Sequence, residues 1–260
     1  MISGRKCSII GVIHLPPLPG SAGYNGSMEE ILGSALNDAM IYKEEAVDAL
    51  LVENMHDAPY LKGYVNPETV AAMAVVASAV KYETSLPTGV QLLAAANLES
   101  LGVAVSCRLD FLRAEGFVFA HVGDEGLHES SAAQLLRKRA YLKGEHIQIF
   151  ADIKKKHSAH AITADVSLAE TARTAEFFGA DGVVVTGGFT GEPADVRDVE
   201  SVRLATSAKV LVGSGVTVDN IRAYSKNADA LIVGSAFKHE GHWRNQVDPE
   251  RVKRLMASAK

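Results

Sequence analysis

At 260 residues the chain can bury a sizeable core as one barrel or as two small domains. A hydrophobic share of 47%, a charged share of 22% and only 8 prolines exclude a largely disordered chain. The formal charge of -5 excludes a general nucleic-acid binder, which needs a basic surface to neutralise phosphates.

In chain order, Arg5-Lys6 precede the apolar run Cys7 to Ile13, which imitates a secretory leader, but no small-residue cleavage site follows. The run is read instead as a first strand, Ser8–His14. Leu15 to Pro19 then reads as a rigid active-site loop in preference to a polyproline ligand for a partner domain. Ser27 with Glu30 is a capping box that starts a helix, each side chain satisfying the other's free N–H. Ala49–Glu53 is the second strand. Asn66-Pro67 opens the next helix, with proline where its missing N–H costs nothing. The apolar stretch from Val70 to Val80 is too short to cross a bilayer. Gly89–Leu93, Phe117–Val122 and Gln148–Asp152 follow as strands three to five, and Ser167 with Glu170 is a second capping box. Gly182–Thr186, Lys209–Gly213 and Ala230–Gly234 complete the strands, and Asp248-Pro249 opens the last helix.

The order is βα throughout, with no shift of composition and no linker. Eight strands is the barrel number, so the sequence predicts an α/β protein, a single (βα)8 TIM barrel over residues 1–260 as one domain. Cys7 and Cys107 show no metal-ligand spacing and read as reduced packing residues. With no transmembrane segment and no lipidation signal, the default location is cytoplasmic.

A closed parallel barrel gathers the C-terminal ends of its strands on one face. Here those ends are polar: His14 on strand one, Glu53 and Asn54 with His56 and Asp57 on strand two, Gln91 on strand three and His121 on strand four. Asp152 with Lys154 ends strand five, and Thr186 with Gly187 and Gly188 ends strand six. One such residue is ordinarily a cap or a hydrogen-bonded structural group. Six in register are costly to bury unless water, one another or a ligand satisfies them, so the set points to a site.

The last three loops carry small residues: Gly187-Gly188, Gly213-Ser214-Gly215 and Gly234-Ser235-Ala236. Glycine lets backbone N–H groups approach an anion and serine adds a hydroxyl, so loops of this kind after strands seven and eight predict a phosphate site at Gly187, Gly188, Gly213, Ser214, Gly215, Gly234 and Ser235. Lys238 beside it reads as solvated, as does the Lys155-Lys156 pair. Trp243 reads as packing the final helix, and His157 and His160 as surface residues.

The opening Gly11-Val12-Ile13-His14-Leu15-Pro16-Pro17-Leu18-Pro19-Gly20 and the segment from Val52 to Tyr60 resemble the BtpA/SgcQ family. So do the stretch from Ala228 to Lys238, Gly241-His242-Trp243 and Val247-Asp248. The resemblance covers essentially the whole chain and implies a ribulose-phosphate-binding barrel. It brings no catalytic residues with it. It also implies two functions of different class, since the family takes its name from a cyanobacterial factor for photosystem I accumulation while a bacterial relative is encoded among sugar-phosphotransferase genes.

The reading that follows is an enzyme binding a small phosphorylated metabolite, an isomerase, epimerase or lyase of sugar phosphates. In it Asp152 and Glu53 act as general acid and base, and His14 and His121 as proton relays. Lys154 is the candidate for a Schiff base. A divalent metal among His14, Glu53, His121 and Asp152 is a variant of the same site, and no organic cofactor is implied. The alternative is a non-catalytic assembly factor of the photosystem I type. The expected partner is the small phosphorylated ligand, with self-association into a homo-oligomer left open.

Overall fold

The computed structural model describes residues 7–259, so the Arg5-Lys6 pair lies outside the described residues. Eight parallel strands close into a barrel: β1 (Ser8–His14), β2 (Ala49–Glu53), β3 (Thr88–Gln91), β4 (Phe111–Ala114), β5 (Gln148–Ile153), β6 (Gly182–Val185), β7 (Lys209–Val212) and β8 (Ala230–Val233). Neighbours in sequence pair in space, and β8 closes on β1 through Ser8 opposite Ala230 to Gly11 opposite Val233. A strand in such a barrel is covered on both faces, which is why Ser8–His14 is buried along its whole length.

The helices are α1 (Met28–Glu44), α2 (Pro67–Thr84), α3 (Asn97–Ser106), α4 (Ala132–Tyr141), α5 (Leu168–Phe177), α6 (Val196–Ala205), the single turn α7 (Ile221–Tyr224) and α8 (Pro249–Ser258). Their starts follow the expected caps, with two changes: Asn66 precedes Pro67 but makes no side-chain cap hydrogen bond, and the Ser27 box is not reciprocal. Ser167 and Glu170 form the reciprocal capping box. Ser27 accepts from the Glu30 N–H, but the Glu30 carboxylate takes the Asn25 amide, and Asn25 in turn receives the Ser27 N–H. Among the described residues no helix is long and apolar enough to cross a membrane, and Cys7 and Cys107 are free thiols.

Apolar side chains form two bodies. The larger fills the space between barrel and helices. The smaller, Ile10, Val12, Ala49, Leu51, Phe111, Phe150, Val184, Leu211, Ala230 and Ile232, fills the barrel interior, as the alternation of side chains along each strand requires.

One strand lies elsewhere than the sequence indicates. The fourth barrel strand is Phe111–Ala114, not Phe117–Val122. Gly116 and Phe119 both have positive φ, near 57° and 60°, so the β-rich run between them cannot stay extended. His121–Gly123 instead pairs with Gly126–His128 as a hairpin, to which Ser158–Ala159 adds a third short strand outside the barrel.

Candidate active site

Counting two residues on from the interior layer of each strand gives the next inward-facing position. From Val12, Leu51, Gly89, Phe111, Phe150, Val184, Leu211 and Ile232 this rule yields His14, Glu53, Gln91, Arg113, Asp152, Thr186, Gly213 and Gly234. The top layer of the barrel is therefore polar on one side and carries no side chain on the adjacent strands β7 and β8. A Cβ on Gly213 would press on Val184 and on Arg113 Nη2, and one on Gly234 would press on the His14 ring at 3.2 Å. Over those two glycines a cavity of about 500 Å³ opens, lined by His14, Glu53, Arg113, Lys156 and the loops after β7 and β8. That volume suits a small metabolite.

Arg113 holds the polar side together. Its Nε and Nη2 donate to the two oxygens of Asp152 at 2.9 and 3.1 Å, and Nη1 reaches Glu53 at 3.4 Å. Bidentate pairing of this kind fixes geometry as well as charge. Burial raises the Asp152 and Glu53 carboxyls above their ordinary range, and the guanidinium pulls both back. Burial would lower Arg113, but the two carboxylates raise it above its ordinary value. Glu53 also lies 3.8 Å from His14 Nε2. Burial, reinforced by the charge of Lys238, pushes the His14 imidazole down to about 3, so it is neutral near pH 7. Burial first and then the Arg113 charge lower the Lys156 ammonium too. The side-chain oxygens Gln91 Oε1 and Thr186 Oγ1, in the same layer, are buried without a protein partner.

Opposite this cluster lie Gly213, Ser214, Gly215, Gly234 and Ser235, all lining the cavity with Thr217, Arg251 and Arg254. Gly215 has φ near 62° and packs on the backbone of Glu192 and Pro193, where a side chain could not fit. The turn Ser235–Phe237 presents its first N–H groups, which have no acceptor within the turn. Gly187 and Gly188 are not among the lining residues. Gly187 packs under the Glu192 carbonyl and Gly188 against the Glu192 carboxylate, so both serve the crossing of the loop after β6.

Other expected residues go elsewhere. Asn54 and Asp57 tie loops together: the Asn54 amide donates to Asp57, its oxygen accepts from the Leu93 N–H, and Asp57 accepts from the Leu18 N–H. This anchors the loop from Leu15 to Pro19, whose Leu15 and Leu18 are fully buried. His56 packs on Trp243 at 5.1 Å, and the Trp243 carbonyl meets His14 Nδ1 at 3.2 Å, so Trp243 sits by the mouth histidines. His121 lies on the hairpin and not on a barrel strand. It stacks on His128 at 5.1 Å, faces His160 at 5.5 Å, and lines a small second cleft together with Asp152 and Lys154. His160 is half-buried in this cluster, and His157, also half-buried, is bonded to Thr190.

The lysine assignments reverse. Lys154 donates to the Thr163 carbonyl, away from the cavity. Lys155 is buried against Glu115 at 3.2 Å, and Lys238 is buried against Asp38 at 3.0 Å, so neither is solvated. Lys156 lines the cavity. The four metal candidates are not brought together: His121 is in the hairpin, and Glu53 and Asp152 are already on Arg113. Among the described residues no group of three or more His, Cys, Asp and Glu is arranged to hold a metal ion. Arg113, Lys156, Arg251 and Arg254 were not singled out from sequence. Only Arg113 had a local signal, two residues beyond Phe111 in an apolar strand.

The BtpA family model matches residues 5–260. An uncharacterized mitochondrial protein of Caenorhabditis elegans is 44% identical over 98% of this chain and 94% of its own length. The photosystem I biogenesis protein BtpA of Synechocystis sp. is 33% identical over 94% of this chain and 85% of its own. Solved structures share the fold at low identity. Orotidine 5'-phosphate decarboxylase from Pyrococcus horikoshii matches with TM-score 0.61 at 14% identity over 96% of this chain and 98% of that one. A 3-hexulose-6-phosphate synthase matches with TM-score 0.60 at 16% identity over 97% of this chain and all of that one, 100%.

Proposed function

The chain belongs to the BtpA family, and from that premise we propose that it is an enzyme acting on a small phosphorylated metabolite at the C-terminal mouth of its barrel. The observation that carries this is the cavity over Gly213 and Gly234, with Glu53 and Arg113 on its far wall and Asp152 held behind them by Arg113. The phosphate sits on Gly213, Ser214, Gly215, Gly234 and Ser235, where bare backbone and a serine hydroxyl suit an anion. Arg251 and Arg254 add charge at the outer rim. Anchoring a remote phosphate orients the reacting carbon against the acid–base groups. The names of the fold neighbours, a 5'-phosphate decarboxylase and a 6-phosphate synthase, support the same class of ligand.

Asp152 and Glu53 exchange protons with the substrate, and Arg113 fixes both carboxylates. Neutral His14, whose Nδ1–H goes to the Trp243 carbonyl, presents Nε2 as a hydrogen-bond acceptor beside Glu53. Asp152→Asn is expected to lower turnover by about 10²–10⁴-fold while leaving phosphate binding in place. Unchanged turnover would remove Asp152 from the mechanism.

Thermal unfolding with a panel of sugar phosphates and inorganic phosphate tests the reading. A ligand at about a hundred times its Kd adds about 2.7 kcal/mol, roughly 5–10 °C for a chain of this size. Gly234→Asp puts bulk and negative charge into the grip and abolishes the shift. The rival reading, an assembly factor, draws on the name of the Synechocystis relative; absence of any shift from phosphate compounds would favour it.

A further inference from the structure

The lysines at the mouth differ in one respect. Lys154, Lys155 and Lys238 each have a protein partner for the amine. Lys156 lines the cavity, and among the described residues its amine makes no hydrogen bond or ion pair, although it lies in the field of Arg113, Glu53 and Asp152. A lysine without a partner, part-buried beside a guanidinium, is in the setting that turns an ammonium into a free nucleophilic amine.

We propose that Lys156 forms an imine with the substrate, and that the substrates are small phosphorylated aldehydes or ketones. The proposal rests on the phosphate reading above. With the phosphate over Gly213 and Gly234, the carbonyl end of a short chain lies toward Glu53, Arg113 and Lys156, which share the cavity wall. The Lys156 Nζ lone pair adds to the carbonyl carbon, the carbon–oxygen π pair moves to oxygen, and a proton passes from nitrogen to that oxygen. The acid form of Glu53, which burial favours, gives a second proton to the hydroxyl. Water leaves, and the nitrogen lone pair closes the protonated C=N bond. Burial and then Arg113 lower the basicity of Lys156, the direction that favours the free amine of the first step.

The test is borohydride reduction of the full-length protein with dihydroxyacetone phosphate or glyceraldehyde 3-phosphate, read by intact mass and peptide mapping. The expected result is a mass gain equal to the carbonyl compound less one oxygen atom, located on Lys156. The adduct is lost in Lys156→Gln and kept in Lys154→Gln. Lys156→Gln should still show the unfolding shift with the same phosphate compound, which separates the two readings. A shift without any adduct, or an adduct of equal yield in Lys156→Gln, overturns the imine and leaves the phosphate site standing. Neither shift nor adduct overturns both. If Lys156→Gln fails to fold, the mapped position of the adduct on the parent protein decides alone.

Discussion

Removing the Arg113 guanidinium leaves the Glu53 and Asp152 carboxylates buried with no counter-charge at contact distance. Arg113→Met is therefore expected to cost about 3–5 kcal/mol, measured by urea denaturation. Histidines set a second expectation. Burial pushes His14 to about 3 and His121 to about 4, the latter helped by the Lys155 charge. Both are neutral in the folded chain at mildly acidic pH, whereas the unfolded chain takes up their protons near 6.5. The unfolded state then binds more protons, so stability falls as pH drops below about 6.5, by up to about 1.4 kcal/mol per pH unit for each histidine. His121→Gln should flatten the stability curve between about pH 6.5 and 5 relative to the parent protein. An equal slope in both would show that His121 is not a buried neutral imidazole. At this scale the top-layer positions of Glu53, His14 and Asp152 were legible, because these residues end clear strands. Lys156 and Arg254 stayed hidden: nothing local distinguishes a lysine in a basic run, or an arginine on an amphipathic helix, from its solvated neighbours.

Elements divide the same way. Caps are local chemistry, so Ser167 and Glu170 were legible as the start of α5 before any tertiary contact was known. Ser167→Ala removes the hydroxyl that accepts the Glu170 N–H and should cost about 1 kcal/mol, a fall of roughly 2–4 °C in Tm. A parent-like Tm would mean that the box adds nothing beyond solvent. Strand β4 was not legible. Phe111-Leu112-Arg113-Ala114 is short, and its charged residue breaks the apolar pattern, while Phe117–Val122 has the stronger β composition. The deciding facts are non-local: Arg113 is satisfied only by residues from β2 and β5, and the competing run is bent by Gly116 and Phe119. His121 went with the misplaced strand and lies on the hairpin, in a second cleft that Asp152 also lines.

For the whole molecule, the barrel survived that error because the number and order of strands did not change when one moved by a few residues. Closure of β8 on β1 then brings Gly234 beside His14, a contact between opposite ends of the chain that no local pattern encodes. Closure also has a cost in the ions it buries. Refilling the top layer with hydrocarbon, by replacing Glu53, Arg113 and Asp152 together with apolar residues of similar volume, should leave calorimetric stability unchanged or raise it by about 1–4 kcal/mol. Only the single replacement is thus expected to lose stability. Heat tolerance and this ion triad are competing demands on the same three positions, and a lineage or a laboratory selection that rewarded only the first would erode the second.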